Sequence, residues 1–212
     1  MAAEDFIISR KRKKYRFALF AENALCFELE QWQPPQASKP LTLELGAGTA
    51  LFSVELARRH PDRQFLAQDV KADRLQKGAQ LAAELGLPNI QFVRAHAALL
   101  ATMLPEASLS DIWLTFPDPH PKKRAIKHRL TSHIFLRLYR NLLKNDASLR
   151  FKTDNHALFD WSLEELVTEG WHIHELSYDL QASLLAADYK ILTTYETRFA
   201  AEGLPTLYLA AN

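Results

Sequence analysis

Short apolar runs alternate with amphipathic stretches along most of this 212-residue chain. Apolar runs predict buried strands, and apolar residues repeated every three or four positions predict helices. Strands are expected at 41–45, 64–68, 90–93, 111–116, 149–152, 171–176 and 206–210. Helices are expected at Arg16–Trp32, Phe52–His60, Lys71–Leu85, near Leu99, and at Ser132–Leu143, Asn155–Glu169 and Thr194–Ala201. This alternation indicates an α/β protein with a doubly wound, mostly parallel sheet.

A proline-rich stretch, QPPQASKP at 33–40, interrupts the pattern and is typical of a linker. We therefore expect a basic N-terminal arm and helix over residues 1–33 and one α/β domain over residues 34–212. Hydrophobic residues make up 48% of the chain and charged residues 24%, which is an ordinary globular balance. No apolar run approaches the roughly 18 residues of a membrane helix, so no membrane association is expected.

The chain has one cysteine, Cys26, which excludes an internal disulfide and favours a reducing cytoplasm. Its formal net charge of +1 hides an uneven distribution. Residues 1–16 and 119–145 are strongly basic, and the second stretch contains no Asp or Glu. The rest of the chain is therefore acidic. A basic face on an acidic body suits a polyanionic partner such as nucleic acid, although a solvated surface gives the same pattern.

The first predicted strand runs into Glu44-Leu45-Gly46-Ala47-Gly48 and then into a helix. Glycines at this place let a ligand approach the backbone closely. A dinucleotide fingerprint would need glycine at position 51, where Leu51 stands. An acid followed by G-x-G better fits a nucleoside that carries a charged amino acid. Asp69 ends the second strand, where a carboxylate can accept both ribose hydroxyls. A tight turn and a helix cap remain the structural alternative.

The fourth strand runs into the sequence FPDPHPKKR at 116–124, where three prolines stiffen the loop around Asp118. Ligands of doubly wound sheets bind beyond the carboxyl ends of the strands, so Asp118 is expected at the ligand edge. Its carboxylate could accept from N1–H and the amine of a guanine, and Lys122 could hold phosphate. A proline-rich turn with a solvated basic tail is the alternative.

The string FPDPHPKKR, together with KTDN at 152–155 and TTYETRF at 193–199, resembles the signature of the bacterial tRNA (guanine-N7-)-methyltransferase family. The order and spacing of these motifs agree over about residues 10–210. The resemblance implies a class I S-adenosylmethionine-dependent methyltransferase fold with a Rossmann-like, seven-stranded sheet. It also implies methyl transfer from S-adenosylmethionine to N7 of guanine 46 in the tRNA variable loop.

The resemblance assigns roles position by position. It implies Asp118 as the catalytic acid, which also contacts the cofactor. Cofactor-binding residues would be Glu44, Gly46, Gly48, Asp69 and His96. Substrate-binding residues would be Lys122, Asp154, Thr193, Thr194, Tyr195 and Glu196. On the residues alone, the alternatives are a helix cap for Asp154 and an exposed helix acid for Glu196.

Four positions depart from the family pattern. Ala50 replaces a usual glycine, which is tolerable if the backbone there is not left-handed. Asp69 replaces a usual glutamate. His96 stands where an acid commonly accepts from the adenine amine, and a neutral imidazole could accept in its place. His120 replaces a usual tryptophan.

We expect a cytoplasmic enzyme, monomeric or homodimeric, with tRNA as its partner and without a metal, since the eight histidines form no metal-binding pattern. Two alternatives remain open. One is a methyltransferase of the same fold that acts on another RNA or on a small molecule. The other is an RNA-binding module whose cofactor site has decayed.

Overall fold

A computed structural model describes residues 15–35, 39–193, 196 and 203–212. The eight strands formed by these residues are β1 Cys26–Glu28, β2 Leu41–Leu45, β3 Gln64–Asp69, β4 Ile90–Arg94, β5 Leu109–Thr115, β6 Leu143–Thr153, β7 Ile173–Ser177 and β8 Leu207–Ala211. The helices are α1 at 15–22, α2 Leu51–Arg59, α3 Ala72–Glu84, α4 Leu100–Met103, α5 His133–Leu142 and α6 His156–Thr168. Short 3₁₀ helices lie at Leu29–Gln31, Ala97–Leu99, Lys123–His128 and Ala187–Lys190.

The strands form one sheet in the order β1-β4-β3-β2-β5-β6-β8-β7. Only β8 among the described strands runs antiparallel to its neighbours, pairing with β6 and β7. The predicted doubly wound, mostly parallel α/β sheet is therefore confirmed. The sheet has one strand more than the predicted seven, because β1 adds to its edge beside β4.

The single helix predicted over Arg16–Trp32 is wrong in its second half. Helix α1 ends at residue 22, and the Asn23 side chain accepts a hydrogen bond from the Leu25 backbone N–H at 2.9 Å, which favours a turn. The chain then pairs in parallel with β4, from Cys26 opposite Phe92 to Glu28 opposite Arg94. Pairing with the edge of β4 therefore stabilises a strand here, although the local sequence pattern also suits a helix. Burial raises the pKa of the Cys26 thiol to about 12, so the thiol stays protonated at neutral pH.

Helices cover both faces of the sheet. On one face α5 and α6 pack through Leu136, Tyr139 and Phe159, each fully buried, against β2, β5 and β6. On the other face α2 and α3 pack through Phe52 and Leu75 against β3 and β4. Burial on both faces explains why the middle of β3 (residues 65–67) and of β5 (residues 112–114) is a continuous apolar run. No helix in the described part of the chain is long and apolar enough to cross a membrane.

Candidate active site

A cavity of about 600 Å³ opens at the carboxyl ends of β2 to β6. Its volume lies within the roughly 300–1,000 Å³ range of small-molecule sites. The predicted residues that line it are Glu44, Gly46, Gly48, Asp69, His96, Asp118, Asp154 and Thr193. The fold therefore brings together residues from six separate segments at the edge where a doubly wound sheet binds ligands.

The glycine-rich turn after β2 approaches this cavity through its backbone. Gly46 and Gly48 have φ of 71° and 56°, in the left-handed region that favours glycine. The N–H groups of Gly46 and Ala47 both donate to the Gln68 carbonyl, at 2.9 and 3.0 Å. A Cβ added at Gly48 would have no heavy atom within 4 Å, so the space beside this backbone is open to a ligand.

Ala50, at the start of α2, also lies in the left-handed region, with φ 54° and ψ 20°. The condition under which alanine would replace the usual glycine without strain is therefore not met, and the conformation costs about 1–2 kcal/mol. Across from it, Gly78 of α3 gives the turn room. A Cβ at Gly78 would lie 2.5 Å from the Thr49 carbonyl oxygen and 3.2 Å from the Ala50 Cβ. Gly78 thus allows α3 to pack directly against the turn.

Glu44 is buried beneath the turn with 2% of its surface exposed. One carboxylate oxygen accepts from the Ser53 hydroxyl at 2.5 Å, and the other accepts from the Thr115 hydroxyl at 2.6 Å. Burial raises the pKa of this carboxyl, while the two hydroxyl donors and Lys152 oppose the rise. Glu44 therefore braces the turn, α2 and β5 against each other at the floor of the cavity.

Asp69 joins the glycine-rich turn after β2 to its own loop after β3. One carboxylate oxygen accepts from Gly48 N–H at 2.9 Å, and the other accepts from Lys71 N–H at 2.8 Å. Each oxygen retains further acceptor capacity, so two neighbouring hydroxyl groups could still donate to it. The next residue, Val70, lines the cavity with 51% of its surface exposed and offers an apolar surface to a planar ring.

His96 lines the cavity in the loop after β4, where it precedes the 3₁₀ helix Ala97–Leu99. Its Nδ1 accepts a hydrogen bond from Ala98 N–H at 3.2 Å. An accepting imidazole nitrogen carries no proton, so the proton of the neutral ring lies on Nε2. From the sequence, we expect a ring nitrogen of His96 to accept from an adenine amine. In the structure Nδ1 is already occupied, and Nε2–H, the atom left for a ligand, is a donor. The helix-capping role of Nδ1 causes the difference.

Asp118 lies on the loop after β5, lines the cavity and is exposed. Its side chain makes no hydrogen bond with the described residues, so both carboxylate oxygens can accept from a ligand. Phe116 and His120 bracket it and both have positive φ, 50° and 42°. His120 lies beside His128, with 6.0 Å between the ring centroids, and both imidazoles line the cavity.

Asp154 follows β6 and lines the same cavity as Asp118. The helix-cap alternative does not apply to it, because Asn155 caps α6 by accepting from Leu158 N–H at 2.8 Å. Lys122 lies at the start of the 3₁₀ helix Lys123–His128, where it is exposed and outside the cavity lining of the described chain. A substrate contact of Lys122 therefore stays a prediction.

Thr193 and Glu196 form a reciprocal pair that is typical of a capping box. The Thr193 hydroxyl accepts from Glu196 N–H at 3.1 Å, and the Glu196 carboxylate accepts from Thr193 N–H at 2.7 Å. Glu196 is 1% exposed and also pairs with Lys152, whose Nζ lies 2.9 Å away. Of the two, Thr193 lines the cavity and Glu196 anchors the segment from behind. Thr194 and Tyr195 lie outside the described residues.

Three lining or supporting residues escape sequence reasoning: Val70, Arg74 and Gly78. Arg74 of α3 lines the cavity, but in sequence it is one basic residue of an amphipathic helix. The sequence does contain a signal for Gly78, since a glycine inside a helical pattern often marks close packing of the helix against another segment. The described residues contain no group of three or more His, Cys, Asp or Glu side chains that could hold a metal ion.

Comparison with known proteins places the chain among methyltransferases. A family model described as "Putative methyltransferase" matches residues 38–209. The tRNA (guanine-N(7)-)-methyltransferase of Brevibacillus brevis is 36% identical over 187 residues, covering 88% of this chain and 87% of that protein. The protein of the same name from Latilactobacillus sakei is 38% identical over 182 residues, 85% of either chain.

Solved structures share the fold at low sequence identity. The 16S rRNA methyltransferase KamB superposes with a TM-score of 0.63 at 18% identity, over 85% of this chain and 94% of that chain. A 16S rRNA (adenine(1408)-N(1))-methyltransferase from Catenulisporales acidiphilia, solved with its cosubstrate SAM, gives a TM-score of 0.56 at 18% identity, over 83% and 87% of the two chains. With the family match and the relatives above, this chain belongs to the tRNA (guanine-N7-)-methyltransferase family.

Proposed function

We propose that this chain transfers a methyl group from S-adenosylmethionine to N7 of the variable-loop guanine of tRNA, in the cytoplasm. The observation that carries the proposal is the position of Asp118. Its carboxylate is exposed and makes no hydrogen bond with the described residues. It lines the same cavity as the glycine-rich turn and Asp69, the acid expected to accept from ribose hydroxyls. The names of the relatives support the same reaction.

The cavity residues fit S-adenosylmethionine. The open space beside Gly48 suits the methionine part of the ligand, and Asp69 has acceptor capacity for ribose hydroxyls. Val70 offers an apolar surface for adenine, and Nε2–H of His96 would donate to an adenine ring nitrogen. Glu44 would act mainly through the turn it braces, because Ser53 and Thr115 already donate to its carboxylate.

When bound, S-adenosylmethionine would supply an electrophilic methyl on a positively charged sulfur. Guanine N7 carries an in-plane lone pair and no proton, so no general base is needed. The protein must instead hold the base in line with the methyl group, and positioning of this kind contributes on the order of 7–11 kcal/mol. Asp118 would accept from N1–H and the exocyclic amine of the base and would stabilise the positive charge that develops on it. Asp154 would support the same base from the neighbouring loop.

The basic surface beside the cavity would hold the RNA backbone. Lys122, Lys123, Arg124 and Lys127 are exposed next to the loop that carries Asp118. Contacts with phosphate position an RNA without reading its sequence. The choice of one guanine would therefore depend on the cavity and on the shape of tRNA.

Methyl transfer to defined transcripts tests the proposal. The full-length protein, S-adenosylmethionine labelled in its methyl group and a tRNA transcript with a variable-loop guanine should give label that maps to N7 of that base. A matched transcript with adenine at that position should remain unlabelled. Equal labelling of both transcripts would favour a methyltransferase with another target. Failure to bind S-adenosylmethionine in calorimetry would favour an RNA-binding module with a decayed site.

A further inference from the structure

The loop that carries Asp118 has an unfavourable backbone on both sides of that residue. Phe116 and His120 have φ of 50° and 42°, which side chains other than glycine rarely adopt. Such conformations persist only where the surrounding structure holds them, and they concentrate at functional sites. The placement of Asp118 therefore depends on whatever fixes the two ends of Phe116–His120.

Phe116 is fixed by the sheet, because its N–H donates to the Lys152 carbonyl of β6 at 2.9 Å. The far end is fixed by one side chain. Arg129 donates from Nε to the Pro119 carbonyl at 2.9 Å and from an Nη to the His120 carbonyl at 3.3 Å. Within the described chain, these two are the hydrogen bonds that residues 117–121 make. The prolines of this stretch can accept hydrogen bonds through their carbonyls but cannot donate any, since they have no N–H.

Arg129 is itself held rigidly. It is 9% exposed, and its guanidinium carbon lies 4.4 Å from the ring centroid of Trp161 on α6. A planar guanidinium can stack on an aromatic face and still donate from its edge. Trp161 thus serves as a platform, and the edge of Arg129 faces the loop carbonyls.

We propose that Arg129 is a positioning residue, which fixes Asp118 for methyl transfer by holding the carbonyls of Pro119 and His120 against the Trp161 platform. The inference rests on the proposed function, in which Asp118 contacts the base. Arg129 belongs to the basic stretch 119–145, yet its burial and its two carbonyl partners separate it from the exposed cations Lys123, Arg124 and Lys127. Its role is to shape the loop, whereas theirs would be to meet phosphate.

Steady-state kinetics of Arg129→Gln and Arg129→Lys test the inference, with Lys127→Gln as the matched control. Arg129→Gln should lower kcat by about 30–100-fold, because a misplacement of about 1 Å costs about that much. Its KM for tRNA and its Kd for S-adenosylmethionine should stay within about threefold of the unsubstituted values. Arg129→Lys, which keeps one donor, should recover part of kcat. Lys127→Gln should raise KM and reduce the salt slope of tRNA binding by about 0.7–0.9 with kcat unchanged.

Hydrogen exchange gives a readout that does not depend on catalysis. The backbone amide of Phe116, which donates to the Lys152 carbonyl, should exchange at least about tenfold faster in Arg129→Gln, because the loop opens more often. Unchanged kcat or unchanged exchange in this variant would overturn the inference, as would a rise in KM alone, which would make Arg129 a phosphate contact.

If Arg129→Gln does not fold, Trp161→Phe provides the test. It keeps the arginine but weakens the platform, and an unchanged kcat would overturn the inference. An unsubstituted protein that leaves tRNA unmethylated would reject the proposed function, while the exchange result would still decide the role of Arg129.

Discussion

The acidic side chains at the two ends of the cavity differ in their hydrogen bonding. At the glycine-rich end, Glu44 and Asp69 accept hydrogen bonds from Ser53, Thr115, Gly48 and Lys71 of their own chain. At the other end, Asp118 and Asp154 make no hydrogen bond with the described residues, although both line the cavity. Glu44 and Asp69 therefore stabilise the fold, whereas the carboxylates of Asp118 and Asp154 are available to accept hydrogen bonds from a ligand.

This difference separates stability from activity. A carboxylate that bridges two loops contributes to both the fold and the ligand site, so its loss should weaken both. A carboxylate that makes no hydrogen bond in the described chain contributes little to folding, so its loss should lower the rate of the reaction and leave stability nearly unchanged. The predictions below test that separation.

The largest effect is expected for Asp118→Asn. The substitution removes the negative charge that would stabilise the methylated base, and kcat should fall about 10²–10³-fold. The melting temperature should stay within about 2 °C, because Asp118 is exposed and makes no hydrogen bond with the described residues. Asp146→Asn, an exposed acid on β6, is the control and should change neither quantity. Near-normal turnover of Asp118→Asn would remove Asp118 from the reaction.

Asp69→Ala should weaken both S-adenosylmethionine binding and the fold. Two N–H donors, from Gly48 and Lys71, lose their acceptor, and each bond to a charged group is worth about 1.5–3 kcal/mol. We expect Kd to rise at least tenfold in calorimetry. The free energy of unfolding should fall by about 2 kcal/mol in urea, which is less than the two bonds together, because water can accept from the freed N–H groups at this half-buried position. A fall in affinity with unchanged stability would contradict the bridging role.

Gly78→Ala should destabilise the protein through the glycine-rich turn. Its Cβ would lie 2.5 Å from the Thr49 carbonyl oxygen, so helix α3 or the turn must move. Overpacking of this kind costs about 1–3 kcal/mol, against roughly 1 kcal/mol gained from helix propensity. We expect a net loss of about 1 kcal/mol in urea unfolding and weaker S-adenosylmethionine binding. Lys77→Ala, at the exposed neighbouring position, should leave affinity unchanged. If Gly78→Ala and Lys77→Ala have the same stability and the same affinity for S-adenosylmethionine, helix α3 does not pack tightly against the glycine-rich turn.

The smallest effect concerns His96. His96→Asn can keep both the bond from Ala98 N–H and a donor toward the ligand, whereas His96→Asp can keep only the first. We expect S-adenosylmethionine affinity to stay within about twofold for the asparagine variant and to fall about five- to tenfold for the aspartate variant, roughly one hydrogen bond. Tighter binding by His96→Asp would show that the ligand presents a donor here.

The sequence predicts the sheet well because its central strands are buried on both faces and flanked by helices of regular period. Strand β6 is longer than expected, Leu143–Thr153 against 149–152, because the exposed residues at 144–146 hide its start. The second half of Arg16–Trp32 is wrong because pairing with β4 is a long-range effect. Local pattern carries no information about an open sheet edge.

Site residues follow the same rule. The acids after the strands are predictable, since parallel strands end at one edge of the sheet. The orientation of each side chain is not. Glu196 faces Lys152 inside the protein, His96 caps a 3₁₀ helix, and Ala50 adopts a glycine-like conformation. The contact of Arg129 with Trp161 joins residues 32 positions apart and has no local signature.

The most direct test of the central claim is a crystal structure of the full-length protein with S-adenosylhomocysteine and guanosine bound. The Asp118 carboxylate should lie within hydrogen-bond distance of N1–H and the amine of the guanine, with N7 directed at the sulfur. A structure in which Asp118 points away from the base, while another side chain grips that edge, would contradict the proposed mechanism.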